Sequence, residues 1–366
     1  MDAEQAYLFR HALLRQAAYQ LQTPLQRAQV HRLALEILEQ LPGLNLRAMA
    51  NELAEHAEAA LPELPEVERA GLQQRLVHHL EVWADHARFN YQYEASRTAL
   101  EKLLPLLGRD RSRTIRAIDI MADVMQRSGR HAEAMHWFAR LHDAAASSGP
   151  EAGYKGRALV HLAWDSHERG QLEAADAYAR EGEDLHAAQP DPRLAIAFTL
   201  FRAKERAGLG DHDGAIALQE KALQLARETN DLLQTIVAHM NLAEALMLAG
   251  RLEAAAEQLD SAQSLAQPAR LAYWLAQVRL ARAEVCRREG KHSEASAELS
   301  QVSTFARQTG SIGLLALSLC RQGQAALDIG DHAQARRCAL EAHEMAAEHG
   351  DAYGLRESER LLEECR

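Results

Sequence analysis

The chain has 366 residues, 47% of them apolar, enough to bury a core in two or three domains or one long repeat array. Alanine supplies 70 residues and aromatics only 5%, a balance that argues against an all-β fold and for packed helices. A net charge of −11 argues against a nucleic-acid groove, which needs a basic face.

Residues 1–5 carry two acids and no basic run ahead of an apolar core, unlike a secretory leader. Tyr7-Leu8-Phe9 reads as a short extended entry leading into two helices, the second started by Pro24. This region, 1–70, has no counterpart later in the chain and is expected to form a small helical linker domain. No apolar run is long enough to span a membrane. The four cysteines (Cys286, Cys320, Cys338, Cys365) contain no C-x-x-C pair and make no disulfide framework, so the chain reads as cytoplasmic.

From residue 71 onward a ruler of about forty residues appears. Glycines stand at Gly129, Gly170, Gly210, Gly250, Gly290 and Gly330, and an alanine follows each by five places: Ala134, Ala175, Ala215, Ala255, Ala295, Ala335. Asn90 with Ala95 extends the series backward. Seven such alanines would coincide by chance about once in 10⁵ for a fixed register. Each unit reads as two helices: an apolar-periodic helix ended by a left-handed glycine, a polar residue, then a second helix. Pro105, Pro150, Pro190, Pro192 and Pro268, with Asn230, Gly310 and Gly350, punctuate the joints between units. Small residues recur seven places before the glycine (Ala122, Ala163, Ala203, Ala243, Ala283, Gly323), where two helix backbones must approach closely. The expected fold is all-α: a right-handed superhelical solenoid of about seven antiparallel helix pairs over 71–366, closed by a polar end-cap helix at 353–364.

The small–Gly–Ala–Ala skeleton, such as Ala243, Gly250, Ala255 and Ala262, resembles the tetratricopeptide repeat in its long-helix bacterial signalling form. Phe9-Arg10-His11 with Leu13, Arg15, Ala18, Tyr19, Arg27 and His31, and then Leu53-Ala54-Glu55-His56-Ala57, resembles the helical linker that follows the ATPase core of STAND-type signal-transduction ATPases. That resemblance implies an ATPase module in cis or in trans, because the chain holds no G-x-x-x-x-G-K-[ST] phosphate loop. It also implies a regulatory module rather than an enzyme. The alternative is a free-standing scaffold or peptide-binding adaptor.

No catalytic, cofactor or metal constellation emerges. His131, His212, His292 and His332 share one repeat place and read as packing positions. His343 and His349 lack the four-residue spacing of a zinc-binding helix, and Asp211-His212-Asp213-Gly214 lacks the acid that closes a calcium loop. In the resembling family the first helix of each pair lines the concave face. Carried over, that face includes Arg157, His161, Trp164, Phe201, Lys204, Met240, Asn241, Glu244, Glu284, Arg321 and Gln324. A mixed apolar and charged row suits a protein or peptide partner, or a small effector. Trp164 and Phe201 are the expected aromatic anchors, removable without loss of stability.

Overall fold

The structure is a computed structural model that describes residues 19–365. The entry and first helix expected at 1–18, with Phe9, Arg10, His11, Leu13, Arg15 and Ala18, lie outside the described residues. Every regular element among the described residues is helical, and the chain divides into two compact units, Met1–Ala117 and Ile118–Arg366.

The first unit holds α1 (Pro24–Gln40), α2 (Ala50–Ala60), α3 (Glu66–Phe89), α4 (Tyr93–Leu103) and the beginning of α5 (Arg111–Ser128). Pro24 occupies the first turn of α1, where its missing N–H costs nothing, and Thr23 with Gln26 forms a reciprocal capping box. Glu39 of α1 accepts from Arg75 (2.6 Å) and pairs with His79 (2.6 Å), fastening α1 to α3. Residues of the linker resemblance come together here. The Tyr19 hydroxyl lies 2.9 Å from His31 Nε2, His31 Nδ1 lies 2.8 Å from His56 Nδ1, and the Arg27 guanidinium stands over the Tyr19 ring. Burial, and then the neighbouring His56, lower the pKa of His31.

One expectation shifts by a residue. Asn90 is not left-handed (φ −95°); Tyr91 is, at φ +60°. Counting from Tyr91, the fifth residue is Ser96, fully buried, and the seventh residue back is Ala84, also fully buried. The Ser96 hydroxyl donates to the Ala84 carbonyl at 2.8 Å, so the small residues of α3 and α4 cross as in later units, one place further on.

The second unit continues with α6 (His131–Ala144), α7 (Ala152–Glu168), α8 (Leu172–Ala188), α9 (Pro192–Gly208), α10 (His212–Glu228) and α11 (Leu232–Leu248). It ends with α12 (Leu252–Ala266), α13 (Ala272–Arg288), α14 (His292–Thr309), α15 (Ile312–Asp328), α16 (His332–His349) and α17 (Ala352–Glu364). The ruler glycines between paired helices all take left-handed angles, φ +73° to +85°. After each, the next N–H returns to a carbonyl five residues back at 2.8–3.0 Å, satisfying an orphan acceptor of the ending helix. Asp191, Asp211, Asp231, Asp331 and Asp351 cap the helices that follow them by accepting from a backbone N–H. The supposed calcium loop at Asp211 is therefore a helix cap.

Packing follows the small residues. Ala134, Ala175, Ala255, Ala295 and Ala335 are fully buried, as are Ala122, Ala163, Ala203 and Ala243. Gly182 leaves room for the Phe198 ring, which occupies the space a β-carbon there would need. From α6 to α17 each helix packs on its sequence neighbours, and the first helices of successive pairs also touch one another: α7 on α9, α9 on α11, α11 on α13, α13 on α15, α15 on α17. The first helices thus form one continuous inner layer. The second helices form the outer one.

Candidate functional site

The inner layer of the second unit lines a half-open cavity of about 760 Å³ at the glycine-turn end of its first helices. Helices α7, α9, α11, α13, α15 and α17 all contribute to it. Of the eleven concave-face residues expected, Lys204, Met240, Asn241, Glu244, Glu284, Arg321 and Gln324 line this cavity. Arg157 and His161 line a second cavity of about 580 Å³ near the opposite ends of α7, α9 and α11.

Trp164 and Phe201 line neither. Phe201 is fully buried, its ring met edge-on by Trp164 (centroids 5.6 Å apart) and by His167 (5.9 Å). The pair is a packing contact between α7 and α9, and Phe201 offers no surface to a partner. His161 stacks on Phe138 at 4.0 Å, and burial, with Arg157 beside it, pulls its pKa down to about 4, so its ring is neutral at pH 7.

The lining of the larger cavity combines apolar Met240, Leu280 and Leu317 with charged side chains. Buried Glu284 accepts from Arg287 (2.9 and 3.0 Å) and from Arg288 (2.7 Å). Burial alone would raise its pKa, but the hydrogen bond from Arg287, the nearby Arg321 charge and Arg288 outweigh it and hold the carboxyl at about 2. Arg287 also donates to Asp328 (2.8 Å), and Arg288 reaches the Met247 carbonyl on α11 (2.8 Å). Lys204 pairs with Glu244 at 3.1 Å, and Arg321 stands 3.4 Å from both Glu357 and the Tyr353 hydroxyl. Arg356 pairs with Glu168. The charges of the lining are largely compensated by one another, and apolar side chains lie among them.

Part of this lining was missed by sequence reasoning. Tyr353, Arg356, Glu357, Arg360 and Glu364 of α17 face the cavity, although the polar face of that helix was read as an end cap. The repeat ruler held the signal. Extended to place 370, it puts Glu357, Arg360 and Glu364 thirteen, ten and six places before a turn, where the first helices elsewhere face inward. Of the recurrent histidines, His131, His212 and His292 are partly buried, as packing positions would be, and His332 is exposed. Among the described residues no three His, Cys, Asp or Glu side chains stand together to hold a metal. His343 Nδ1 instead lies 3.3 Å from the Ser358 hydroxyl, and His349 Nδ1 lies 3.0 Å from the Met345 carbonyl.

No family model and no curated protein matches the sequence. Solved structures do match the fold. The Rap conjugation gene regulator of plasmid pLS20, in complex with the Phr* peptide, superposes with a TM-score of 0.62 over 87% of this chain and 89% of its own, at 11% identity. The fold is a tetratricopeptide-like solenoid. Aspartyl phosphate phosphatase F from Bacillus subtilis (TM-score 0.57, 12% identity, 87% and 88% covered) shares it. So does the apo quorum sensor NprR from B. thuringiensis (0.55, 12%, 93% and 94%). At such identities the likeness speaks for the fold alone. Among the described residues no helix is long and apolar enough to cross a membrane.

Proposed function

We propose that the chain is a non-enzymatic regulatory module that holds a short segment of a protein partner in the inner cavity of its second unit. One observation carries the reading: six first helices converge on a cavity whose lining combines apolar side chains with charges of both signs. A peptide backbone with mixed side chains meets such a surface on both counts, burying apolar groups on Met240, Leu280 and Leu317 while exchanging hydrogen bonds with the charged side chains. That the Rap regulator of pLS20 was solved with a peptide bound supports the same class of ligand, and a small effector with both characters is the nearest variant of it. The linker resemblance in residues 1–70 adds the finer proposal that the module reports to a STAND-type ATPase, in cis or in trans, within the cytoplasm. Binding would act through different affinities for two states of the array.

The test is a randomised peptide library panned on the full chain, with the selected peptides titrated by fluorescence anisotropy against wild type and a Met240→Glu/Leu317→Glu double variant. The proposal expects at least about a ten-fold weakening in the variant, as for loss of a central apolar contact. Equal affinity would move the site elsewhere. Recovery of an ATPase with the tagged chain from the native cytoplasm would support the signalling role, and recovery of other partners without one would favour the adaptor.

A further inference from the structure

The second unit touches itself. The Ser311 hydroxyl, at the joint before α15, donates to the Arg127 carbonyl at the end of α5 across 3.0 Å of space and 184 residues of sequence. Beside it, Gly129 and Gly313 lie backbone against backbone, and the space a β-carbon on Gly129 would need is taken by Gly313 N and Cα. Next along the seam, Gly350 lies against Ala132, and His131 Nε2 stands 3.7 Å from Asp351 Oδ2. Further on, Arg356 of α17 engages both the carboxylate and the carbonyl of Glu168, at the end of α7.

A helical-repeat array holds together through contacts between neighbours and needs none between repeats this far apart. These contacts join the earliest hairpins of the unit to its last ones. Among the described residues they include one neutral hydrogen bond, glycine-to-glycine and glycine-to-alanine approaches, the Arg127 guanidinium over the Tyr273 ring, a long His–Asp contact and a partly exposed ion pair, each individually weak in water. The last of them, Glu168 with Arg356, is also part of the cavity lining.

We propose that this seam is a latch gating the inner cavity: the unit exchanges between the closed ring and an open array, and an occupant that bridges α7, α11 and α17 favours the closed ring. The proposal rests on the reading of the cavity as a ligand site, since an empty latch would have nothing to admit. Its physical content is linkage. Contacts from one ligand to both sides of the seam exist only when the seam is shut, so closing and binding strengthen each other.

The experiment needs no ligand, which separates its failure from failure of the peptide reading. Asn241→Cys, in a Cys365→Ser background, places a thiol in the cavity. Its reaction is followed by mass with N-ethylmaleimide and with a bulky polyethylene-glycol maleimide. Gly313→Trp wedges the seam at a helical position outside the cavity lining. We expect the bulky reagent to react about ten-fold faster in the wedge variant, the small reagent at an unchanged rate. Should the wedge disrupt folding, Arg356→Glu takes its place, and Glu168→Arg combined with Arg356→Glu should restore the slow rate. Equal rates for the bulky reagent in wild type and opened variants, or failure of the charge swap to restore them, would overturn the latch.

Discussion

Phe201→Ala separates a packing role from a contact role. The ring is fully buried on α9, edge-on to Trp164 and His167, with the Arg202 guanidinium 5.9 Å from its centroid. Truncation removes the transfer energy of a phenyl group and leaves a void between α7 and α9. Because Trp164 is only half-buried and can lean into that void, the cost falls toward the lower part of the usual range, about 3–4 kcal/mol. In a unit of this size each kcal/mol moves the melting temperature by about 2–4 °C, so the melt followed by circular dichroism should fall by roughly 6–16 °C. Affinity for cavity-bound peptide, measured well below the melt, should change little. A melt within 2 °C of wild type would refute the packing argument (a shift that small corresponds to under about 1 kcal/mol) and return Phe201 to the ligand surface.

Other perturbations probe separate parts of the account. Tyr91→Gly should stabilise the first unit by about 1 kcal/mol by relieving a left-handed tyrosine, whereas Asn90→Gly should destabilise it by about 0.5–1 kcal/mol; denaturant titration reads both signs, and the reverse order would restore the turn to Asn90. Gly182→Val should lower the melt by about 1–3 kcal/mol in free energy, because a side chain there must displace the Phe198 ring. Glu284, held at about 2, stabilises the fold in full above about pH 4.5, and that contribution is lost as pH falls toward 2. Glu284→Gln should flatten the stability-versus-pH curve in that window by up to about 3 kcal/mol, and an unaltered slope would mean the carboxylate is not held by its arginines.

Legibility in the sequence followed the range of the interaction that writes each feature. The ruler glycines and the alanines five places on are local requirements, a left-handed turn and a close helix crossing, so they stand in the text at fixed spacing. The turn near residue 90 was misplaced because asparagine is the better left-handed residue and Ala95 fitted the series. The left-handed angle of Tyr91 and the burial of Ser96 and Ala84 place the turn at Tyr91. Phe201 was misread because its repeat place faces inward, yet whether a side chain there is open depends on its neighbours, here Trp164 and His167 from the preceding unit. The seam was illegible for a simpler reason: Ser311 and Arg127 are joined by superhelical closure, which no local spacing encodes.

Photo-crosslinking tests the central claim most directly. A benzophenone amino acid placed at Gln277, in the cavity lining, and separately at Glu257, exposed on the outer helix α12, would report which surface holds a partner in an extract of the native cell. The account predicts crosslinked peptide from position 277 and none from position 257. Crosslinks confined to position 257 would contradict it.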